Sequence, residues 1–121
     1  MKRVFLVDDS STILMSMETI LKKAGFAVDK ATNGKEALDK LKNGPKPNLI
    51  ITDLNMPQMD GITLIKELRK LPGYKFLPIL ILTTESEQSK KMEGKKAGAT
   101  GWLVKPVKPN DLLAVVKKLV P

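Results

Sequence analysis

The sequence predicts an α/β fold: a doubly wound, five-stranded parallel sheet with strand order 2-1-3-4-5 and five helices, formed by a single domain over residues 1–121. Short apolar runs alternate five times with amphipathic segments of helical period. Two of the runs, residues 49–53 and 78–83, are apolar almost throughout, which is typical of strands buried on both faces. The connections are short, and short connections favour parallel strands joined by right-handed crossovers.

The first two strands and the first helix are predicted from residues 4–31. Residues 4–7 form an apolar strand that ends in Asp8-Asp9, and Ser10 or Ser11 is expected to cap the next helix, which Gly25 ends. The expected inward face of that helix carries Ile13, Met17, Ile20, Leu21 and Ala24. Residues 27–31 alternate weakly and include two charges, Asp29 and Lys30, so they predict an exposed edge strand.

The middle of the chain predicts a helix, a buried strand and a second helix. Asn33-Gly34 turns into a helix, and after the loop at 43–47 the third strand runs over 49–53. Pro57 then breaks backbone pairing, and Asp60 caps the next helix. The inward residues expected on these two helices are Ala37, Leu38 and Leu41, then Ile62, Ile65 and Leu68.

The last third of the chain predicts two strands and two helices. Strand four ends at the hydroxyl of Thr83, and helix four covers 88–97 with Ser86 or Glu87 at its start. Gly94 inside this helix costs ~1 kcal/mol relative to Ala, so the helix should be intrinsically weak. Residues 102–104 form strand five. The fifth helix is expected to open at Asn110 or Asp111 and to turn Leu112, Leu113, Val116 and Leu119 inward.

Composition narrows the possible chemistry. The chain has no Cys, which excludes disulfides and thiolate chemistry and fits a reducing cytoplasm. It has no His, so the usual general base is missing and a bound metal would need oxygen ligands. No apolar run is long enough for a membrane span, and the apolar run after Met1-Lys2-Arg3 is too short for a signal peptide.

The net charge of +8 invites an interpretation as a nucleic-acid binder. The lysines are scattered through every predicted helix, however, and the only arginines are Arg3 and Arg69. Direct nucleic-acid binding is therefore disfavoured. A solvated, lysine-rich surface that steers towards an acidic protein partner fits the pattern better.

Chemically matched side chains follow four of the five predicted strands: Asp8 and Asp9, then Asp53, Thr83 and Lys105. Carboxyl ends of parallel strands open on one edge of a sheet, and strands one and three flank the crevice where the winding reverses. Three crowded carboxylates repel, so at least one pKa should rise unless a hard cation such as Mg²⁺ sits among them. A carboxylate, a metal, an ammonium and a hydroxyl together suit phosphoryl transfer to an Asp nucleophile.

Each of these residues also has a purely structural interpretation. Asp8 or Asp9 could cap the first helix, Thr83 could be an ordinary strand residue or cap, and Lys105 could be a solvated lysine. Their joint occurrence at four strand ends favours a functional site.

The same positions carry a resemblance. Asp8-Asp9-Ser10, Asp53 with Met56-Pro57 and Met59-Asp60-Gly61, Thr83 and Lys105-Pro106 together resemble response-regulator receiver domains over the whole chain. The resemblance implies that Asp53 is the phosphoacceptor and that Thr83 and Lys105 bind the phosphoryl group. It also implies that Asp9, Asp53 and the backbone carbonyl of Asn55 bind Mg²⁺, with Asp8 acting mainly through water, and that the bond before Pro106 is cis. Trp102 stands at the position of the family's switch aromatic, usually Tyr or Phe.

The resemblance also implies partners. Without His the chain cannot supply its own phosphohistidine, so a histidine kinase or phosphotransfer domain is the expected donor. The sequence reaches its last residue, Pro121, without an output domain. The chain is therefore expected to act by binding another protein. Thr83 to Ser86 and residues 99–106 are similar to chemotaxis receivers of the CheY type, whose target is the flagellar motor switch. The expected output surface includes Lys91, Lys95, Trp102 and Val104.

Three other functions stay open at this point. A phosphorelay intermediate would pass the phosphoryl group to a histidine phosphotransfer domain. A small aspartate-nucleophile phosphatase of the haloacid-dehalogenase type would carry a second acid where this chain has Asn55. Direct nucleic-acid binding is the third. The protein is expected to lie in the cytoplasm and not to insert into a membrane. It is expected to catalyse only its own phosphorylation and dephosphorylation.

Overall fold

The computed structural model describes residues 1–84 and 88–121, with the side chain of Gln88 excepted. Five parallel strands form one sheet in the order β2-β1-β3-β4-β5, which confirms the predicted fold class and strand order. The strands are β1 (Arg3–Val7), β2 (Ala27–Ala31), β3 (Leu49–Asp53), β4 (Ile79–Thr83) and β5 (Gly101–Val104). The helices are α1 (Ser11–Lys23), α2 (Gly34–Asn43), α3 (Gly61–Arg69), α4 (Gln88–Ala97) and α5 (Pro109–Leu119).

The sheet lies between two layers of helices. Strand residues alternate sides, so Phe5 and Ile50 pack against α2 and α3, whereas Leu6 and Ile51 pack against α1 and α5. Every residue of β3 and β4 is buried, as their uniformly apolar sequences predict for strands covered on both faces. The edge strand β2 is mostly half-buried, in line with its weak alternation and its charges.

Side chains cap three of the helices. Ser10 and Asp60 are caps that the sequence analysis names, whereas it placed Asn33 only at the turn into α2. The Ser10 hydroxyl, the Asn33 amide oxygen and the Asp60 carboxylate each accept a hydrogen bond from the backbone N–H three residues later. Gly25 has φ 95°, a left-handed conformation that suits glycine directly after the C-cap residue Ala24 of α1. The cap of α4 predicted at Ser86 or Glu87 lies outside the described residues.

The prediction for the start of α5 was wrong. The helix begins at Pro109, before Asn110 and Asp111, and its N-cap residue Lys108 makes no side-chain hydrogen bond. Proline suits the first helical position because its fixed φ is already helical and its missing N–H has no helical partner there. The rule that looks for a polar cap therefore placed the boundary too late.

The predicted face of α1 was also incomplete. Leu14, Met17 and Leu21 are its buried residues, whereas Ile13 and Ile20 are only partly buried. Leu14 is 5% exposed and belongs to the core beside α5.

Within the two described ranges, no helix combines the length and the apolar character that crossing a bilayer requires.

Candidate functional site

The sheet register brings the predicted site residues to one edge. Val7 of β1 pairs with Thr52 of β3, so the residues that follow, Asp8 and Asp53, lie side by side at adjacent strand ends. On the other side of β3, Asp53 pairs with Leu82, which places Thr83 just beyond it at the end of β4. Strand β5 ends one residue before Lys105. The crevice is therefore built from the ends of four neighbouring strands.

Three carboxylates converge in this crevice. Asp8, Asp9 and Asp53 each offer an oxygen atom, and these three atoms lie within 4.8 Å of one another. Asp8 and Asp53 are buried, at 2% and 5% exposure, whereas Asp9 is exposed at the rim. Buried acidic groups at this separation repel one another strongly, so the arrangement needs compensating positive charge.

Lys105 supplies part of that charge from the protein itself. Its Nζ lies 2.9 Å from Oδ2 of Asp8 and 3.2 Å from Oδ1 of Asp53, and its side chain is 16% exposed. One ammonium thus bridges the acid that follows β1 and the acid that ends β3. The structural interpretation of Lys105 as a solvated lysine does not hold, because two ion pairs keep its side chain in the crevice.

Backbone hydrogen bonds fix the orientation of the two buried acids. The N–H of Ser10 donates to Oδ1 of Asp8 at 2.9 Å, and the N–H of Leu54 donates to Oδ1 of Asp53 at 2.9 Å. The donor to Asp8 is thus the N-cap residue of α1, and the donor to Asp53 is the residue that begins the loop after β3. Ser10 serves twice, because its hydroxyl also caps α1.

The surroundings shift the protonation equilibria of the site. Burial and the neighbouring Asp8 carboxylate raise the pKa of Asp53 above its usual range, and Lys105 offsets only part of this rise. Burial by itself would lower the pKa of the Lys105 ammonium, but the ion pairs with Asp8 and Asp53 outweigh burial and raise it. The site accordingly carries more negative charge than one lysine balances.

The donor set fits a magnesium ion. Three carboxylates face a single ammonium, and Mg²⁺ prefers oxygen ligands supplied by one or two carboxylates and completed by water. Asn55, the residue whose backbone carbonyl the resemblance adds as a ligand, is exposed two residues after Asp53. Asp8, Asp9 and Asp53 are thus the side chains that could hold the ion.

Two glycines make room for the loop after β3, and the sequence analysis gave neither this role. A Cβ on Gly61 would collide with the carbonyl oxygen of Asp53, and the N–H of Gly61 donates to the carbonyl of Leu54 at 2.8 Å. A Cβ on Gly34 would lie 2.6 Å from the carbonyl oxygen of Met59. Both glycines sit at the first position of a helix, where the sequence signals only the helix start.

Thr83 borders the crevice at the end of β4, and Trp102 lies within β5, three residues before Lys105. Thr83 is 1% exposed, and its carbonyl accepts a hydrogen bond from the N–H of Lys105 at 2.8 Å. Trp102 pairs in register with Ile81 and packs, partly buried, against the core beside α4. The peptide bond between Lys105 and Pro106 is cis.

Gly94 lies against the side chains of Ile81 and Trp102. A Cβ at Gly94 would lie 2.7 Å from Cδ1 of Ile81, which is too close, and 3.4 Å from the ring of Trp102, which is an ordinary contact distance. The sequence indicated only that this glycine weakens α4. The structure shows that the missing side chain leaves space for the Ile81 side chain, beside which the indole packs.

Comparison with known proteins agrees with this geometry. The model of the response regulator receiver domain family matches residues 4–117. The chemotaxis protein CheY of Thermotoga maritima is 38% identical over 120 residues, which cover 98% of this chain and 97% of that protein. The sensor histidine kinase CheAY of Helicobacter pylori is 39% identical over 118 residues, 97% of this chain but only 15% of that protein.

Solved structures give the same result. The structure of the Vibrio cholerae chemotaxis protein CheY4 crystallised at low pH superimposes with a TM-score of 0.94. It is 45% identical in sequence, with 98% of each chain covered. With a matching family model over nearly the whole length and relatives of this similarity, the chain belongs to the response regulator receiver domain family of two-component systems.

Proposed function

We propose that the protein is a phosphorylation-activated signalling switch in which Asp53 accepts the phosphoryl group. An Asp53 oxygen attacks the phosphorus of a phosphohistidine on a separate histidine kinase, forming an acyl phosphate. The P–N bond breaks, and its electron pair stays on the imidazole nitrogen, which takes up a proton. The observation that carries the proposal is the position of Lys105, 3.2 Å from Asp53 and 2.9 Å from Asp8.

The residues around Asp53 have distinct parts in this step. Lys105 stands where it can pair with an oxygen of the incoming phosphoryl group, and Thr83 can donate a hydrogen bond to another. Asp8, Asp9, Asp53 and the carbonyl of Asn55 would hold Mg²⁺, which when bound neutralises charge on the phosphoryl oxygens. Binding of the ion would also relieve the repulsion among the three carboxylates.

The switch would run from Thr83 to the surface formed by α4 and β5. A cavity of about 310 Å³ between them is lined in part by Lys91, Lys95 and Trp102. Val104, at the end of β5, is 46% exposed. Phosphorylation would add negative charge and acceptor oxygens that attract the Thr83 hydroxyl. A movement of Thr83 would then let the Trp102 ring move, and this would change the conformation of the surface.

The relatives suggest the pathway. Chemotaxis proteins of the CheY type are among the similar proteins, and a CheAY sensor histidine kinase contains a similar segment. We therefore propose a chemotaxis histidine kinase as the donor and the flagellar motor switch as the target, both met in the cytoplasm. Retention of the phosphorylated chain on immobilised motor-switch protein would support this target. Rapid transfer from Asp53 to a histidine phosphotransfer domain without such retention would favour a relay instead.

Incubation with acetyl phosphate and Mg²⁺ tests the site, with intact mass and Trp102 fluorescence read together. One phosphoryl group per chain and a changed emission are expected, because Asp53 displaces acetate from the phosphorus and the indole lies beside the switch surface. Both changes should vanish when the ion is chelated and in Asp53→Asn. Asp60→Asn is a matched control, because Asp60 only caps α3. Undiminished phosphorylation of Asp53→Asn would overturn the assignment.

A further inference from the structure

The end of the molecule opposite the phosphorylation site is strongly positively charged. In this fold all helices run back from the site, so the helix C-termini and the loops that enter the strands gather at the opposite end. These segments are residues 1–2, 20–26, 40–48, 66–78, 94–100 and 116–121, and together we call them the basic pole. None of them contributes a residue to the phosphorylation site, although residues 94–100 also border the proposed switch surface.

The basic pole concentrates the positive charge of the chain. It contains fourteen of the 21 basic residues and one of the 13 acidic residues, Glu67. The rest of the chain therefore has seven basic and twelve acidic residues and is net negative. The net charge of +8 is thus the sum of a strongly positive pole and a negative remainder, rather than an even coating of lysine.

Helix stabilisation accounts for only part of this pattern. All five helices carry two basic residues in the last turn, where they complement the helix dipole. Lys2, Lys46 and Lys75, however, lie in the terminal and loop segments, outside any helix. Within the part of the chain that the structure describes, Lys46 and Lys75 form no ion pair.

An aromatic side chain projects from the same pole. Phe76 is 88% exposed, while its loop neighbours Tyr74 and Leu77 are buried at 5% and 8% exposure. The Nζ of Lys75 lies 5.7 Å from the centre of the Phe76 ring, and Lys46 lies in the same way over Tyr74 at 5.8 Å. The loop already fills the core with its other apolar residues, so packing gives no reason for a phenyl ring in solvent.

We propose that the basic pole docks on a bilayer surface rich in anionic phospholipid. The Phe76 ring would enter the headgroup layer, and the surrounding lysines would neutralise lipid phosphates. An extended, uniformly negative surface matches positive charge spread over all five helix ends better than a single acidic peptide does. The Phe76 ring protrudes into solvent. A protruding ring suits a lipid headgroup layer, because lipids can move aside to admit it.

Nucleic acid fits the same pole less well. Its one arginine, Arg69, donates hydrogen bonds to the carbonyls of Gly98, Tyr74 and Leu77, so its guanidinium is already engaged within the protein. Single-stranded nucleic acid is usually held on several aromatic platforms, and Phe76 is the only exposed aromatic ring among the described residues. Docking through the basic pole would leave the phosphorylation site facing away from the bilayer.

Flotation with lipid vesicles tests the proposal on the full chain. Vesicles of phosphatidylcholine should leave the protein unbound, whereas vesicles with about one third phosphatidylglycerol should carry it upward at low salt and release it at high salt. The double variant Lys46→Glu with Lys75→Glu should bind about tenfold or more weakly, because each basic side chain adds to the attraction. Phe76→Ser should weaken binding at unchanged charge.

A charge-matched control separates a local surface from overall charge. Lys35 and Lys108 are exposed lysines at the starts of α2 and α5, on the side of the phosphorylation site. Lys35→Glu with Lys108→Glu changes the net charge equally and should keep vesicle binding. Equal losses in both double variants would overturn the proposal. Failure of the wild-type protein to bind the anionic vesicles would also overturn the proposal, whether or not it binds an acidic polypeptide or single-stranded RNA.

Discussion

At the scale of single residues, Asp53 is where the chemistry of the site opposes the stability of the fold. The carboxylate is buried beside Asp8, and this raises its pKa in the folded chain despite Lys105. The usual value is about 3.8, so between that value and the raised one the folded chain holds the proton more tightly than the unfolded chain. Stability is therefore lost as the pH rises through this window, and the loss is complete above the raised pKa.

Removing the charge should recover that stability. With metal chelated, Asp53→Asn is expected to raise the free energy of unfolding by about 1 kcal/mol at neutral pH, the size of a typical single-residue effect. The gain should shrink as the pH falls and disappear below about 3.8, where both states of the wild type are protonated. Urea unfolding across this pH range measures it.

Asp9→Asn is the control for this comparison. Asp9 belongs to the same cluster but is exposed, so its removal should change stability much less. A neutral-pH loss of stability in Asp53→Asn would contradict the prediction, because it would mean that the ion pair with Lys105 outweighs burial.

At the scale of helices and strands, local patterns located most of the fold. The strands β3 and β4 were predicted almost to the residue because burial on both faces leaves an unbroken apolar run. The caps Ser10 and Asp60 were predicted because Ser and Asp side chains accept hydrogen bonds from the free N–H groups at a helix start, whereas Asn33 was placed only at the turn into α2. The start of α5 was missed because Lys108 caps it without a side-chain hydrogen bond.

Contacts between distant elements were predictable only where the topology dictates them. Parallel strands in the order 2-1-3-4-5 must bring Asp8 next to Asp53, so that meeting followed from the fold. Nothing in the local sequence shows that Gly34 packs on Met59 or that Gly94 faces Trp102. Such contacts depend on how closely two elements pack against each other. Neither hydrophobic periodicity nor secondary-structure propensity encodes that distance.

The contact at Gly94 gives a prediction about α4. Replacing a helical glycine by alanine usually stabilises a protein by about 1 kcal/mol. Here the new Cβ would lie 2.7 Å from Cδ1 of the fully buried Ile81, and overpacking costs about 1–3 kcal/mol. Gly94→Ala should therefore leave the free energy of unfolding unchanged or lower it.

A double-mutant cycle tests this cause. Ile81→Val removes the atom that the new Cβ would strike, so Gly94→Ala should be more favourable in that background by about 1 kcal/mol or more. Chemical denaturation of the four proteins gives the coupling. An effect of Gly94→Ala that is the same in both backgrounds would show that Ile81 does not limit the site.

At the scale of the whole molecule, stability is unevenly distributed around the sheet. The strands β3 and β4 are covered on both faces, and α5 buries Leu112 and Val116 completely. Along α4, the buried residues among the described side chains are only Gly94 and Ala97, neither of which brings a large apolar group. Among the helices, α4, which forms part of the proposed switch surface, is therefore the one anchored by the smallest buried side chains.

Hydrogen exchange should resolve this difference. The amides of α4 are expected to exchange about tenfold or more faster than those of α5, a helix of similar length, because α4 can open locally while the sheet stays folded. The amides of β3 and β4 should exchange slowest, through global unfolding. Protection of α4 equal to that of α5 would contradict the prediction. It would also remove the physical basis for the switch, because a phosphoryl group can shift a conformational equilibrium only where two states already differ by little free energy.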